Sequence, residues 1–133
     1  MNASTPRNFG FLSHPTIRRL RQAQLILAII IYTSLLLMSF PQTGAGGIPD
    51  YVLHSTGNAL LVMSIWLALM DRFTAIHSLL FALPISISSE FIQSLNPSRA
   101  FDINDIAANI CGVTIGFLIC LGLQSSVNKI YLH

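Results

Sequence analysis

Apolar residues along this chain fall into four long runs, and polar residues gather at one end of three of them. The runs cover about residues 22–40, 51–70, 73–95 and 103–123. Each is close to the ~20 residues with which an α-helix crosses the hydrocarbon core of a bilayer. The pattern therefore predicts an all-α membrane protein with four transmembrane helices.

The breaks between the runs are short and rich in residues that end helices. Pro41 and the glycines after it end the first run, Asp71 begins an exposed polar turn after the second, and Pro97 stops the third. Because short loops join antiparallel neighbours, we expect an antiparallel bundle. The bundle is predicted to occupy residues 22–123, between tails at 1–21 and 124–133.

Composition supports the membrane assignment and excludes one class of partner. Of the 133 residues, 53% are hydrophobic and only 9% are charged, whereas a soluble domain has about 25% charged residues. The net charge is only +2, and no basic run carries interleaved aromatic residues. We therefore expect no nucleic-acid partner.

Lysine and arginine residues lie mainly on one side of the predicted bundle. Arg99 is on the other side, in the loop before the last run. By the positive-inside rule, both termini are predicted to be cytoplasmic and the polar ends of the helices to face outward. The basic residues on the predicted cytoplasmic side are Arg18, Arg19, Arg21, Arg72 and Lys129.

Three of the predicted helices each carry one polar stripe. Residues at i, i+3, i+4 and i+7 share a face of a helix, and lipid cannot satisfy polar groups on such a face. We therefore expect the stripes to face one another inside the bundle. They are His54 and Asn58 on the second helix, Ser86, Glu90 and Gln93 on the third, and Asp105 and Asn109 on the fourth.

Small residues on the fourth helix also predict where the bundle is most tightly packed. Ala108, Gly112 and Gly116 form a series of small residues four apart, which lets another backbone approach closely. Asp105 and Asn109 lie on the same side of the helix as these glycines. The polar face and the close-packed face are thus predicted to be one face.

The acidic residues differ in how easily a structural role explains them. Asp102 is interpreted as an N-cap of the fourth helix, and Asp50 as a solvated residue before the second. Glu90 is the hardest to explain in this way, because Phe91 and Ile92 continue its helix. An ionisable group at membrane depth is costly and indicates a functional site.

The order of these residues resembles the VanZ-like family of small bacterial membrane proteins. The resemblance covers roughly Asp50 to Gly116, about half of the chain. Asn58 departs from the family pattern, which has an aromatic or small residue there. The residues that carry the resemblance are Asp50 and His54, then Glu90 and Gln93, then Pro97, Arg99, Asp102, Asp105, Asn109 and Gly112.

The resemblance implies a bacterial inner-membrane protein that acts in the cell envelope. The family takes its name from a protein associated with reduced susceptibility to teicoplanin, a lipid-anchored glycopeptide antibiotic. It implies antibiotic resistance as a context and no particular reaction. The expected partners are membrane lipids, a lipid-linked envelope precursor or another membrane protein.

One hypothesis is an enzyme that acts on a lipid headgroup or a lipid-linked precursor. His54 and Glu90 would be its acid–base pair, because histidine titrates near neutral pH. Arg99 would bind a phosphate or carboxylate, and Asp102 or Asp105 would orient His54 or Arg99. Gln93 and Asn109 complete the predicted binding residues.

The sequence leaves the identity of a cofactor open. With His54 neutral, the charges of Glu90, Arg99, Asp102 and Asp105 sum to −2. A divalent cation would relieve this excess, with His54, Glu90 and Asp105 as its candidate ligands. Protonation of Glu90 or His54 would relieve it equally well.

The second hypothesis is a bundle without catalysis. In that case the polar cluster is a buried network that holds the four helices together. The protein would be a scaffold or an accessory subunit that binds a lipid or another membrane protein.

Overall fold

Four long α-helices make up most of the structure, a computed structural model. The described residues are 7–37, 48–95 and 102–131. The helices are α1 (Pro15–Leu37), α2 (Asp50–Leu69), α3 (Ala75–Ser94) and α4 (Ile103–Tyr131), and a short 3-10 helix, Gly10–Ser13, precedes them. These ranges contain no strand, so the prediction of an all-α fold is confirmed.

All four helices are long and apolar enough to cross a membrane, which confirms the predicted number of spans. The first and the last helix extend further toward the chain termini than predicted. α1 begins at Pro15, inside the segment 1–21 predicted as a tail, and α4 continues through 124–133 as far as Tyr131. With 29 residues, α4 is about 43 Å long and exceeds the ~30 Å hydrocarbon core.

The charged residues are distributed unevenly between the two ends of the bundle. We call the end where α2 and α4 begin the acidic end, because it holds Asp50, Glu90, Asp102 and Asp105. The opposite end, where α1 and α3 begin, is the basic end. Every Lys and Arg among the described residues lies at the basic end: Arg7, Arg18, Arg19, Arg21, Arg72 and Lys129.

α2 and α4 form the most extensive helix pair, and glycines on α4 explain why. A Cβ added to Gly116 would lie 2.6 Å from the backbone oxygen of Ala59, and one added to Gly112 would collide with the backbone of Ser55. The Ser55 hydroxyl also donates to the Ala108 carbonyl at 3.1 Å. The predicted close approach at the small residues is therefore confirmed, with α2 as the partner.

α1 packs on the outside of the other three helices. Arg21 is its only buried residue, and Ile26, Ile30 and Leu35 are exposed. A helix that exposes so much apolar surface suits contact with lipid tails, which make no demand for polar groups. α1 thus forms the outer wall of the bundle, and Leu25 and Tyr32 are its residues that pack against the core.

The basic end is closed by a buried ion pair. Arg21 Nη2 contacts Asp71 Oδ2 at 2.5 Å, and Arg21 Nη1 donates to the Leu67 carbonyl at 3.0 Å. The Ser13 hydroxyl donates to the other Asp71 oxygen at 3.3 Å. The interpretation of Asp71 as an exposed turn residue is therefore wrong, because α1 brings a cation against it.

The residues before α1 also pack against the basic end. The Arg7 amide donates to the Asp71 carbonyl at 2.9 Å. Phe9 is buried, with its ring edge-to-face with Tyr131 at a centroid distance of 6.4 Å. From residue 7 onward, the segment predicted as a tail is thus folded against the bundle, and its cytoplasmic location stays a prediction.

Candidate functional site

His54 is surrounded by polar groups from the first turns of α2 and α4. Its Nε2 lies 3.8 Å from Asp50 Oδ2 and 3.6 Å from Asp105 Oδ2. Its Nδ1 lies 2.9 Å from the side-chain oxygen of Asn109. Asp50 is one helical turn before His54 in α2, so this pair depends only on helix geometry, whereas Asp105 and Asn109 come from the neighbouring helix.

Asn109 joins three helices at the centre of the polar cluster. Its side chain is fully buried. Its Oδ1 accepts from Asn58 Nδ2 at 2.6 Å, and its Nδ2 donates to the Ser86 carbonyl at 3.3 Å. α4 is thereby tied to α2 and to α3, so the predicted meeting of the three stripes is confirmed.

Asn58 extends this network to α1. Its Nδ2 donates to the His54 carbonyl at 2.8 Å, and its Oδ1 accepts from the Tyr32 hydroxyl of α1 at 3.1 Å. The position at which the chain departs from the expected family pattern is thus a buried junction between α1, α2 and α4. Nothing in the sequence of α1 except the single polar ring of Tyr32 signals this contact.

Glu90 has a different environment from His54. It is buried on α3, and its Oε1 accepts a hydrogen bond from the Asp102 amide at 3.1 Å, where α4 is about to begin. A carboxylate at the N-terminus of a helix is stabilised by the helix dipole. The acid–base pairing of His54 with Glu90 stays a prediction, and the structure gives the two side chains separate partners.

Asp102 has the capping role that its position suggests. Its exposed carboxylate accepts from the Asn104 amide at 2.8 Å and from the Asn104 side chain at 2.9 Å. This confirms the N-cap interpretation, while a role for Asp102 in binding stays a prediction. Arg99, the predicted phosphate-binding residue, lies outside the described residues.

A cavity of about 240 Å³ opens beside the polar cluster, between α1, α2 and α3. Its polar lining is concentrated at the acidic end, where Gln93 also donates weakly to the Leu36 carbonyl at 3.5 Å. Its apolar lining comes from α1 and α2. The polar lining residues are Tyr32, Asp50, His54, Thr56, Asn58, Ser89 and Gln93, and the apolar ones are Leu35, Leu36, Leu53 and Leu60.

Asp50 is a functional candidate that the sequence interpretation left out of the site. It was expected to be solvated, and its side chain is 29% exposed, but it also lines the cavity and lies 3.8 Å from His54. The signal that could have found it is its spacing of four from His54, together with its position in the resemblance. The ring of Tyr32 and the hydroxyl of Ser89 gave no comparable signal.

The fold and the cluster together define the class of this protein. It is a small multi-pass membrane protein whose four-helix bundle has one polar, cavity-bearing end. The family model described as VanZ/LLP1 matches residues 4–124, and the chain therefore belongs to that family. No curated protein and no solved structure matches it.

Proposed function

We propose that this protein works in the bacterial inner membrane by binding a membrane lipid or a lipid-linked envelope precursor at the acidic end. The observation that carries the proposal is the cavity, which joins an apolar wall to a polar end. A ligand that fits both parts has a hydrocarbon chain and a polar headgroup. The membrane itself supplies molecules of this kind.

The size of the cavity limits which part of a lipid it holds. At about 240 Å³, it is smaller than the roughly 300–1,000 Å³ of most ligand pockets. It therefore takes a headgroup and the first part of a chain. The rest of the chain lies along the exposed apolar surface of α1, beside Leu35.

The charge asymmetry supports an outward-facing acidic end. All described lysines and arginines lie at the basic end, and such residues are retained on the cytoplasmic side of bacterial membranes. With this orientation both termini are cytoplasmic, and the site faces the outer side of the membrane. A reporter that fluoresces only in the cytoplasm, fused to the C-terminus, is expected to be bright, and a dark fusion would reverse the orientation.

Gly57 offers a direct test of lipid binding. It lines the cavity, and a Cβ added there meets no atom within 4 Å. Gly57→Leu should fill the cavity without disturbing the helices. Gly122→Leu is the matched control, because a Cβ at Gly122 also meets nothing within 4 Å and Gly122 lies outside the cavity.

The measurement is the binding of fluorescent phosphatidylglycerol and of an isoprenoid phosphate to the full chain in detergent. We expect Gly57→Leu to weaken binding of one of these probes by about tenfold or more, the equivalent of about 1.4 kcal/mol. Gly122→Leu should bind like the parent. Equal binding by all three proteins would end the proposal that the cavity is the lipid site.

The cellular consequence is tested by deletion and complementation. We expect a deletion strain to differ from its parent in lipid-linked precursors and in susceptibility to teicoplanin. The parent gene and the Gly122→Leu gene should restore both properties, and the Gly57→Leu gene should restore neither. A deletion strain with unchanged precursors and unchanged susceptibility would remove the envelope role.

A second candidate function is a scaffold without a ligand, which the buried Asn109 network favours. If the polar cluster serves only to hold the helices, Asn109→Ala should lower both stability and cellular function, and Gly57→Leu should change neither. The stabilising role of Asn109 is compatible with both functions. Gly57→Leu therefore separates them, because it affects the cavity and leaves the network intact.

A further inference from the structure

Three potential metal ligands converge at the acidic end of the bundle. Asp50 and His54 come from the start of α2, and Asp105 comes from the first turn of α4. One oxygen of each carboxylate and a ring nitrogen of His54 lie within 4.8 Å of one another. The side chains are 29%, 9% and 16% exposed, in that order, so a small solute can reach them.

The hydrogen bonds around Asn109 determine which nitrogen of His54 carries a hydrogen. Asn109 Nδ2 faces the Ser86 carbonyl, which can only accept. Its Oδ1 must therefore face Asn58 Nδ2 and His54 Nδ1, at 2.6 and 2.9 Å. Because an amide oxygen only accepts hydrogen bonds, His54 Nδ1 is the protonated nitrogen.

Nε2 of His54 then points at two carboxylates. With the hydrogen on Nδ1, Nε2 is the ring nitrogen left to coordinate a cation. A cation between the three atoms would be held by all of them. The sequence had suggested Glu90 as the third ligand, but in the structure Asp50 holds that place and Glu90 accepts from the Asp102 amide.

The distances suit metal coordination better than a direct hydrogen bond. Nε2 is 3.6 and 3.8 Å from the two carboxylate oxygens, which is longer than the ~2.7–2.9 Å of a charge-assisted hydrogen bond. Metal bonds of about 2.0–2.2 Å in a tetrahedral site separate neighbouring ligand atoms by roughly 3.3–3.6 Å. The two Nε2–oxygen distances are close to that range, and all three atoms lie within 4.8 Å of one another.

From this geometry we infer that Asp50, His54 and Asp105 bind a divalent transition-metal cation, with Zn²⁺ as the best fit. One imidazole and two carboxylates are a suitable ligand set for such an ion. Asn109 holds the ring in the required tautomer by accepting from Nδ1, as hydrogen-bond partners of metal-bound histidines do. The inference stands whether or not the cavity binds a lipid.

The position of the metal site beside the cavity indicates a role for the bound cation. Asp50 and His54 line the cavity, so the coordination position not taken by protein faces it. A phosphate oxygen or a water molecule can occupy that position. A headgroup phosphate in the cavity would thus bind the metal directly.

The test is a titration of the metal-stripped full chain in detergent with Zn²⁺, Mn²⁺ and Mg²⁺. We expect one equivalent of Zn²⁺ to bind, with Mg²⁺ the weakest of the three. Asp50→Asn and Asp105→Asn should each weaken Zn²⁺ binding by about tenfold or more, since each removes a ligand. Asp102→Asn is the matched control, because it makes the same charge change one helical turn from Asp105 and should bind within about twofold of the parent.

Nitrogen NMR of His54 gives a second measurement. We expect Nδ1 to keep its hydrogen and the Nε2 resonance to shift when Zn²⁺ is added to the stripped protein. The inference would be overturned by a folded parent that binds no Zn²⁺, or by an Nε2 resonance that bound Zn²⁺ does not shift. Equal weakening by Asp102→Asn would also overturn it, because binding would then reflect general attraction to the acidic end.

Discussion

The two ends of this bundle use similar residues in opposite ways. At the basic end, the carboxylate of Asp71 meets the buried guanidinium of Arg21 and the hydroxyl of Ser13. At the acidic end, two carboxylate oxygens lie 3.6 and 3.8 Å from Nε2 of His54. The basic end thus pairs its buried carboxylate with a cation, whereas the acidic end brings two carboxylates and a histidine together beside a cavity.

The difference indicates which polar residues are structural. A buried ion pair holds elements in register, and it needs nothing from outside the protein. Like charges held close together cost free energy unless a cation, a proton or a ligand offsets them. The convergence of two carboxylates and a histidine beside a cavity is therefore the feature that points to a bound partner, whereas burial alone is common to both ends.

The acidic end itself contains both kinds of residue. Asn109 and Asn58 are almost fully buried and are hydrogen-bonded to other parts of the bundle. Asp50 and Asp105 are partly exposed and lie at the rim. The two amide side chains thus hold the helices together, and the two carboxylates at the rim are the groups that a ligand can reach.

The largest predicted effect on stability comes from breaking the ion pair at the basic end. Asp71→Ala leaves Arg21 buried without a partner and should cost about 3–5 kcal/mol of the free energy of unfolding, measured by unfolding in mixed micelles. Arg72→Ala, in the same turn but exposed, is the control and should change stability little. A loss below about 1 kcal/mol for Asp71→Ala would mean that the pair does not close this end.

The second effect concerns the α2–α4 contact that positions the site. Gly112→Ala places a methyl group against the backbone of Ser55 and should cost about 1–3 kcal/mol. Gly122→Ala, in the same helix with open space around its Cβ, should be neutral or stabilising by about 0.5–1 kcal/mol. If both variants were equally stable, α4 could not pack against α2 as closely as described.

The smallest effect on stability is expected at the rim of the acidic end. Asp50→Asn removes one of the negative charges beside His54, and it also removes a favourable carboxylate from the first turn of α2. Because these effects oppose each other, stability should change by no more than about 1 kcal/mol. Binding of Zn²⁺ should nevertheless weaken by about tenfold or more. A large loss of stability with metal binding intact would show that Asp50 is structural, like Asp71.

Much of this architecture could be predicted from apolar runs and helical spacing. The four spans, the small-residue face of α4 and the meeting of His54 with Asn109 all follow from local patterns. Asp71 could not be assigned in this way, because its partner Arg21 is fifty residues away. A turn that looks solvated in the sequence is covered when α1 packs across it.

The choice between Glu90 and Asp50 shows the same limit. Both are acidic residues at the acidic end, and both belong to the resemblance that identified the family. Asp50 faces His54 because the two are four residues apart in α2, whereas the reach of Glu90 depends on the rotation of α3 about its axis and on where α4 begins. Spacing along one helix contains neither quantity.

The sequence by itself determined that this chain is a four-helix membrane protein of the VanZ/LLP1 family, with polar residues drawn together at one end. Apolar length and a period near 3.6 residues suffice for that, because lipid accepts no unsatisfied polar face. Only the tertiary structure decided that Asp71 pairs with Arg21 at the basic end and that Asp105 lies 3.6 Å from the ring of His54. Those contacts join different helices, so they depend on helix rotation and depth, which packing sets.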